Sequence, residues 1–321
     1  MNILVVRTDK LGDFITALPA MYVLKQYNKQ NRLIACVAPL NKALAESCDF
    51  IDEVIVDDGG SIWSLVKKIK SAKIDASVTL FSNTRVALAQ FLARVPKRIA
   101  PATKIAQIFY NKRVVQRRSE VKMAEFEYNL ELTRALFSDI SLEYKKPLLS
   151  FEDKELIYRV FRQNHDIQKD EIIAFHVGFG GSSDANWNLD EYEILIREVI
   201  KQNRYQVVLT FGPDEKELYE EMQNRLYDVD VIFYLSLEGL VYFAKLVSNF
   251  KLFVSTSTGT YHVASLVGTP TMTFFADTLF ASSKRWKSVG DAKLQEHFMI
   301  PSNKEKRDAL FKKVQEHLAT I

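Results

Sequence analysis

A chain of 321 residues, 47% hydrophobic and 26% charged, has the length and apolar content for two ordinary globular domains. It has no apolar run long enough for a membrane helix and no secretory signal before its first strand-like stretch. Its two cysteines, Cys36 and Cys48, make no metal or redox pattern, so a reducing cytoplasmic setting is expected. The net charge of +3 is too small to point to nucleic acid.

In the first half, apolar and β-branched runs at residues 3–6, 33–37, 54–56, 76–80 and 98–100 alternate with helical runs at 14–27, 42–48, 62–71 and 84–94. This order predicts a parallel sheet with helices on both faces. The first strand leads into Arg7-Thr8-Asp9-Lys10-Leu11-Gly12-Asp13, a strand-to-helix turn. In an open parallel sheet that edge binds ligands. Asp13 is placed either as a helix cap or first-turn acid, or as a base beside a ligand.

From residue 94 to 122 the pattern changes. Arg94, Lys97, Arg98, Lys104, Lys112, Arg113, Arg117, Arg118 and Lys122 stand against one acid, Glu120, with Phe109 and Tyr110 between them. Such a stretch is either a solvated loop or a surface for an anionic partner, such as lipid phosphates, acidic sugars or an anionic bilayer face. It carries no RNA-binding or helix-turn-helix signature. A helix over 124–137 closes the first domain, Pro147 opens a linker, and 152–164 reads as helix.

The second half repeats the alternation. Strands are expected at 172–177, 206–211, 231–234, 252–255 and, last, 270–275. Helices are expected at 190–201 (capped by Asn188 or Asp190), 214–226, 237–248 (capped by Ser236), 260–267 and 303–318 (capped by Ser302). Two similar α/β halves suggest a ligand cleft between them.

Three turns in this half could hold a ligand. In Ser255-Thr256-Ser257-Thr258-Gly259-Thr260-Tyr261-His262, hydroxyls and a glycine gather where a helix begins. Open N–H groups and the helix dipole favour an anion there by about 0.3–1 kcal/mol at exposed sites. The bland alternative is a capped helix with His262 as a structural histidine. His176-Val177-Gly178-Phe179-Gly180 is a glycine-rich strand exit, but it lacks both the P-loop ending and the dinucleotide spacing. At Phe211-Gly212-Pro213-Asp214-Glu215, either Glu215 or Glu217 could reach a ribose hydroxyl, or be an exposed first-turn acid.

In their order along the chain these pieces are Arg-x-Asp-x-x-Gly-Asp with Leu18-Pro19-Ala20, then His-x-Gly with Trp187 downstream, Gly212-x-x-Glu215, Thr258-Gly259-x-x-His262, and Lys284-Arg285-Trp286. The chain thereby resembles glycosyltransferase family 9, the bacterial heptosyltransferases of lipopolysaccharide core synthesis, from residue 3 to about residue 286.

The resemblance implies a GT-B fold of two Rossmann-like domains: an acceptor domain at 1–150 and a nucleotide-sugar domain at 151–302. A closing helix at 303–321 would return to the first domain, as the last helix of GT-B enzymes often does. It implies inverting, metal-independent transfer of a sugar, with ADP-heptose as donor and no other cofactor. The acceptor would be an anionic lipid-linked or oligosaccharide glycan, met in the cytoplasm or at the inner membrane's cytoplasmic face. Asp13 matches the family's base, and Thr258, Gly259 and His262 its anion-binding turn. Glu215 or Glu217 would meet the donor ribose, and Ser236 and Leu237 the adenine. His176, Gly178, Gly212, Ser257 and Thr260 complete the donor side. Arg7, Lys10, Gly12, Lys104, Lys112, Arg113, Arg117 and Arg118 would face the acceptor.

Two positions depart from the family pattern. Ser257 stands where members usually carry Asp, and Ala185 where heptosyltransferases tend to carry Lys; the basic segment, or Lys284 and Arg285, could compensate. The competing readings are a GT-B enzyme with another nucleotide sugar, or a non-catalytic nucleotide-sugar-binding relative. An NAD-dependent oxidoreductase fails on the missing glycine fingerprint.

Overall fold

The computed structural model describes residues 1–179 and 186–321. They divide into two compact units, Met1–Leu148 and Leu149–Ile321.

In the first unit the chain runs β1 (Asn2–Arg7), α1 (Leu11–Tyr27), β2 (Arg32–Val37), α2 (Lys42–Glu46), β3 (Glu53–Val56), α3 (Ile62–Ser71), β4 (Ala76–Thr79), α4 (Thr84–Leu92), β5 (Lys97–Pro101), β6 (Lys112–Val114) and α5 (Glu125–Thr133). The six strands pair in parallel in the order β3-β2-β1-β4-β5-β6. Leu4, Val6, Ile34, Cys36 and Ile55 pack on Leu65, Ile69, Val86 and Ala89 of α3 and α4. Helix α1 is buried from Phe14 through Met21 and packs against α5. A helix apolar all round is one enclosed on several sides. Asn129 of α5 fastens it by donating to the Thr16 carbonyl at 3.1 Å and to Thr16 Oγ1 at 3.2 Å.

The second unit runs α6 (Lys154–Asn164), β7 (Ile172–His176), α7 (Leu189–Lys201), β8 (Gln206–Phe211), α8 (Lys216–Arg225), β9 (Val231–Leu235), α9 (Leu240–Val247), β10 (Leu252–Thr256), α10 (Gly259–Leu266), β11 (Thr271–Ala276), α11 (Ser283–Trp286), β12 (Gln295–Ile300) and α12 (Lys304–Leu318). Its parallel sheet has the order β12-β11-β10-β7-β8-β9. Counted from each unit's own first strand, both sheets follow the doubly wound order 3-2-1-4-5-6. The winding reverses between β1 and β4 in one, and between β7 and β10 in the other.

Most expected elements are present, and four expectations need correction. The strand at 271–276 is not the last: β12 adds a parallel edge beyond it. Its Gln295, Glu296 and His297 hide an edge strand from any reading that looks for apolar runs. The short edge strand β6, with Lys112 and Arg113 on it, is concealed for the same reason. Ser236 does not cap the helix after β9. That helix starts at Leu240 behind Gly239, whose φ of 93° is a conformation glycine adopts without a Cβ penalty. Finally, α12 lies within the second unit: it packs on α7, with Val314 and Leu318 in that unit's core. Its cap is Asn303, whose Oδ1 accepts from Lys306 N–H at 3.1 Å, rather than Ser302. Asn188 caps α7 as expected, reciprocally with Glu191.

Candidate active site

At the reversal point of the first sheet, β1 ends on Arg7 and α1 begins at Leu11 with Lys10 as its cap residue. Asp13 is therefore the third helical residue, and it caps nothing. Its Oδ1 accepts a hydrogen bond from Arg7 Nη2 at 2.5 Å, while Oδ2 has no partner among the described residues and the side chain is 21% exposed. Thr16 Oγ1 donates to the Asp13 carbonyl at 2.6 Å, so the Asn129–Thr16 link also steadies the turn that carries Asp13.

Arg7, expected on the acceptor side, lies beneath the site instead. It is 2% exposed, and its guanidinium also donates to Asp9 Oδ1 at 2.8 Å and Glu125 Oε1 at 3.4 Å. Three of its five N–H donors are engaged by three carboxylates, and its burial makes it a rigid support rather than a surface for a ligand. Arg118 likewise turns inward, donating to Glu125 Oε1 at 2.5 Å and to Gln116. Burial pushes the Asp9 carboxyl up to about 6 against the pull of Arg7, with neighbouring Asp13 adding to the rise.

Phe81, just past β4, joins a further expected residue to this cluster. The Arg7 guanidinium lies 5.6 Å and the Lys104 ammonium 4.7 Å from its ring centroid. Lys10, Lys104, Lys112, Arg113 and Arg117 are exposed; Arg117 faces Glu120 at 3.5 Å. Asp9 lay within the Arg-x-Asp-x-x-Gly-Asp motif without a role assigned to it, while Glu125, Phe81 and the Thr16–Asn129 pair had no signal of their own in the sequence. A buried acid declares its role only through the partner that the fold brings to it, here across 118 residues for Arg7 and Glu125.

In the second unit the exits of β7, β8 and β10 bring most of the expected donor residues to one sheet edge. Gln206 to Phe211 of β8 runs beside β7, and Ser255 of β10 is paired with His176. His176 Nδ1 donates to the Thr210 carbonyl at 2.9 Å, which leaves Nε2 3.7 Å from Glu215 Oε1. Burial lowers the histidine's affinity for a proton, and Glu215 opposes that shift. Glu215 folds back to accept from the Gly212 N–H at 2.6 Å, and a Cβ at Gly178 would collide with its carboxylate. Gly178 is therefore a glycine so that Glu215 can pass. Glu217 is exposed on α8. A cavity of about 950 Å³ opens at this edge, lined by Val177, Phe179, Trp187, Asp214, Glu215 and Glu217 among others.

The Thr258 turn lies beside that exit, across the sheet's reversal point. Ser257, Thr258, Gly259 and Thr260 are all partly exposed, and the Thr258 and Thr260 hydroxyls are 2.8 Å apart. The first backbone N–H to close onto the helix start is that of His262, onto the Thr258 carbonyl; those of Ser257 and Thr258 are taken by the Phe274 and Thr256 carbonyls, which leaves the N–H groups of Gly259, Thr260 and Tyr261 without an intrahelical acceptor, as at any helix start. His262 itself turns away from the turn. It is 3% exposed, and its Nδ1 lies 3.0 Å from Ser288 Oγ. Burial holds it down at about 3, so it is a neutral support that brings no positive charge to an anion. Leu237 is 69% exposed beyond β9, with Ser236 beside it. Trp187 is a core anchor, its ring 5.6 Å from that of Phe274. Ala185 lies outside the described residues. Arg285 stacks on Phe280 and Trp286, and Lys284 is exposed.

This geometry has recognisable relatives. The family model for glycosyltransferase family 9 (heptosyltransferase) matches residues 62–314. A Haemophilus influenzae protein that bears a provisional glycosyltransferase name is 38% identical over 314 residues, 95% of this chain and 90% of that protein. Among solved structures, the E. coli ADP-heptose lps heptosyltransferase II superposes with a TM-score of 0.79 at 16% identity, covering 99% of each chain. The E. coli heptosyltransferase WaaC with ADP gives 0.72 at 17%, covering 98% of this chain and 99% of that one. The two six-stranded parallel α/β units have the GT-B fold of those enzymes.

Proposed function

The chain belongs to glycosyltransferase family 9, a family of heptosyltransferases, and from that premise we propose that it transfers heptose from ADP-heptose to an anionic, lipid-linked core glycan. The transfer inverts the anomeric centre and needs no metal. The observation that carries this reading is the Asp13 carboxylate. It stands at the reversal point of the first sheet, with one oxygen held by Arg7 and the other without a partner among the described residues.

Asp13 takes the proton of an acceptor hydroxyl as that oxygen attacks the anomeric carbon. Help of this kind contributes roughly 10²–10⁴-fold. The bond to the nucleoside diphosphate breaks on the opposite face, and negative charge collects on the departing phosphate. At the start of α10 the N–H groups of Gly259 and Thr260 and the hydroxyls of Thr258 and Thr260 meet that charge. Lys10 and Lys104 hold the anionic acceptor beside Asp13. Two solved relatives are named with ADP-heptose or ADP, which supports an adenosine donor.

Thermal-shift titration with ADP-, UDP-, GDP- and CMP-sugars tests the donor: ADP-sugars are expected to stabilise the protein, and the others much less. Asp13→Asn is expected to keep that stabilisation and to lower turnover by about 10²-fold or more. Near-wild-type turnover of the Asn variant would remove the base from Asp13. A second reading rests on Ser257, which replaces the acid expected before Thr258-Gly259. On that reading the donor is a different nucleotide sugar, and the same titration would reveal it by its base.

A further inference from the structure

Between Phe91 and Arg117 the chain has seven lysines and arginines and no aspartate or glutamate. The fold sorts these cations. Lys97 and Arg98 turn partly inward, to the carbonyls of Leu136 and of Val95 and Phe109. Arg94, Lys112, Arg113 and Arg117 stay exposed. Lys112 and Arg113 form no ion pair among the described residues.

Large apolar side chains are exposed among them: Ile105 by 77%, Val115 by 73%, Ile108 by 67% and Phe91 by 48%. These groups are neighbours in space. The 3₁₀ turn Ile105–Phe109 packs on α4, the rings of Phe91 and Phe109 lie 5.7 Å apart, and Ala102 N–H donates to the Val114 carbonyl at 2.7 Å. Within the turn it is Ala106 that faces the core, at 1% exposure, so Ile105 and Ile108 are the residues it directs outward.

Aliphatic side chains set among exposed cations, of which Arg117 alone has an acidic partner among the described residues, call for a partner with an apolar interior and an anionic surface. A bilayer with acidic headgroups has both, one to receive the isoleucines and one to face the basic side chains. We propose that this β5–β6 edge of the first unit docks on an anionic lipid bilayer. The docking stands apart from the sugar-transfer reading, since it uses none of the residues around Asp13. It would bring the first unit to the surface where a lipid-linked acceptor resides.

The test is flotation of the full-length protein with vesicles of phosphatidylethanolamine and phosphatidylglycerol, beside vesicles of phosphatidylcholine alone, with no donor or acceptor present. Wild type is expected to float with the acidic vesicles at least about tenfold more than with the neutral ones, and to lose that preference in high salt. Ile105→Ser/Ile108→Ser should reduce flotation about tenfold while the circular dichroism stays unchanged. An Ile108→Trp variant should show a blue-shifted emission only with acidic vesicles. Equal flotation with both vesicle types, or a double variant that floats like wild type, would overturn the proposal. So would concentration-dependent self-association without vesicle binding, which would assign the patch to a second copy of the chain.

Discussion

Arg7 carries three carboxylates at once, Asp9, Asp13 and Glu125, at 2% exposure. Arg7→Met would leave these acids without their shared cation, and breaking a buried pair of this kind costs about 3–5 kcal/mol, readable as a lower urea midpoint. Arg7→Lys keeps the charge but not three directed donors. It should recover part of the stability and little of the turnover, because Asp13 loses its aim; equal recovery of both would reduce Arg7 to a counter-charge. Asp9 supplies a pH test. Its carboxyl titrates at about 6 in the folded protein against an ordinary 3.8, so between those values the folded state binds more protons than the unfolded chain. Through this group, stability is greatest below the unfolded value and falls as pH rises from about 4 to about 6, then levels. Asp9→Asn should remove that slope from urea unfolding measured across the window; an unchanged slope would mean that Asp9 titrates elsewhere.

At the scale of elements, the clearest test lies where β7 and β8 end. Gly178 leaves room for Glu215, which caps the Gly212 N–H and faces His176. Gly178→Ala must push Glu215 out of that position, at a cost of about 1–3 kcal/mol for the charge-assisted hydrogen bond. In Glu215→Ala the same glycine change should cost almost nothing. Urea unfolding of both single variants and the double variant measures that coupling, and simple additivity would show that the two residues do not meet. The sequence made the long alternating elements legible, because a run such as Ile-Leu-Val-Val has few uses other than a buried parallel strand. It hid β6 and β12, since edge strands carry charge and polarity that read as loop. It also misplaced the start of α9, where Gly239 rather than the serine sets the turn.

Across the whole molecule, two sheets of identical strand order put their reversal points where the sequence had placed its acidic turn and its Thr-Gly turn. Strand order follows from alternation and right-handed crossovers, both local properties, so the fold class and the sheet edge that carries these turns were already determined by the sequence. So was the family, because its short motifs lie at strand exits in a fixed order. What only the tertiary structure decided is which way each polar side chain faces. Arg7, Arg118 and His262 looked like ligand contacts and became supports; Glu215 folded back under a glycine; Ile105 and Ile108 carried no signal and stand at the surface. The reason is physical: a side chain's direction depends on partners far along the chain, such as Glu125 for Arg7 and Ser288 for His262, and no local pattern records a partner that folding alone brings near.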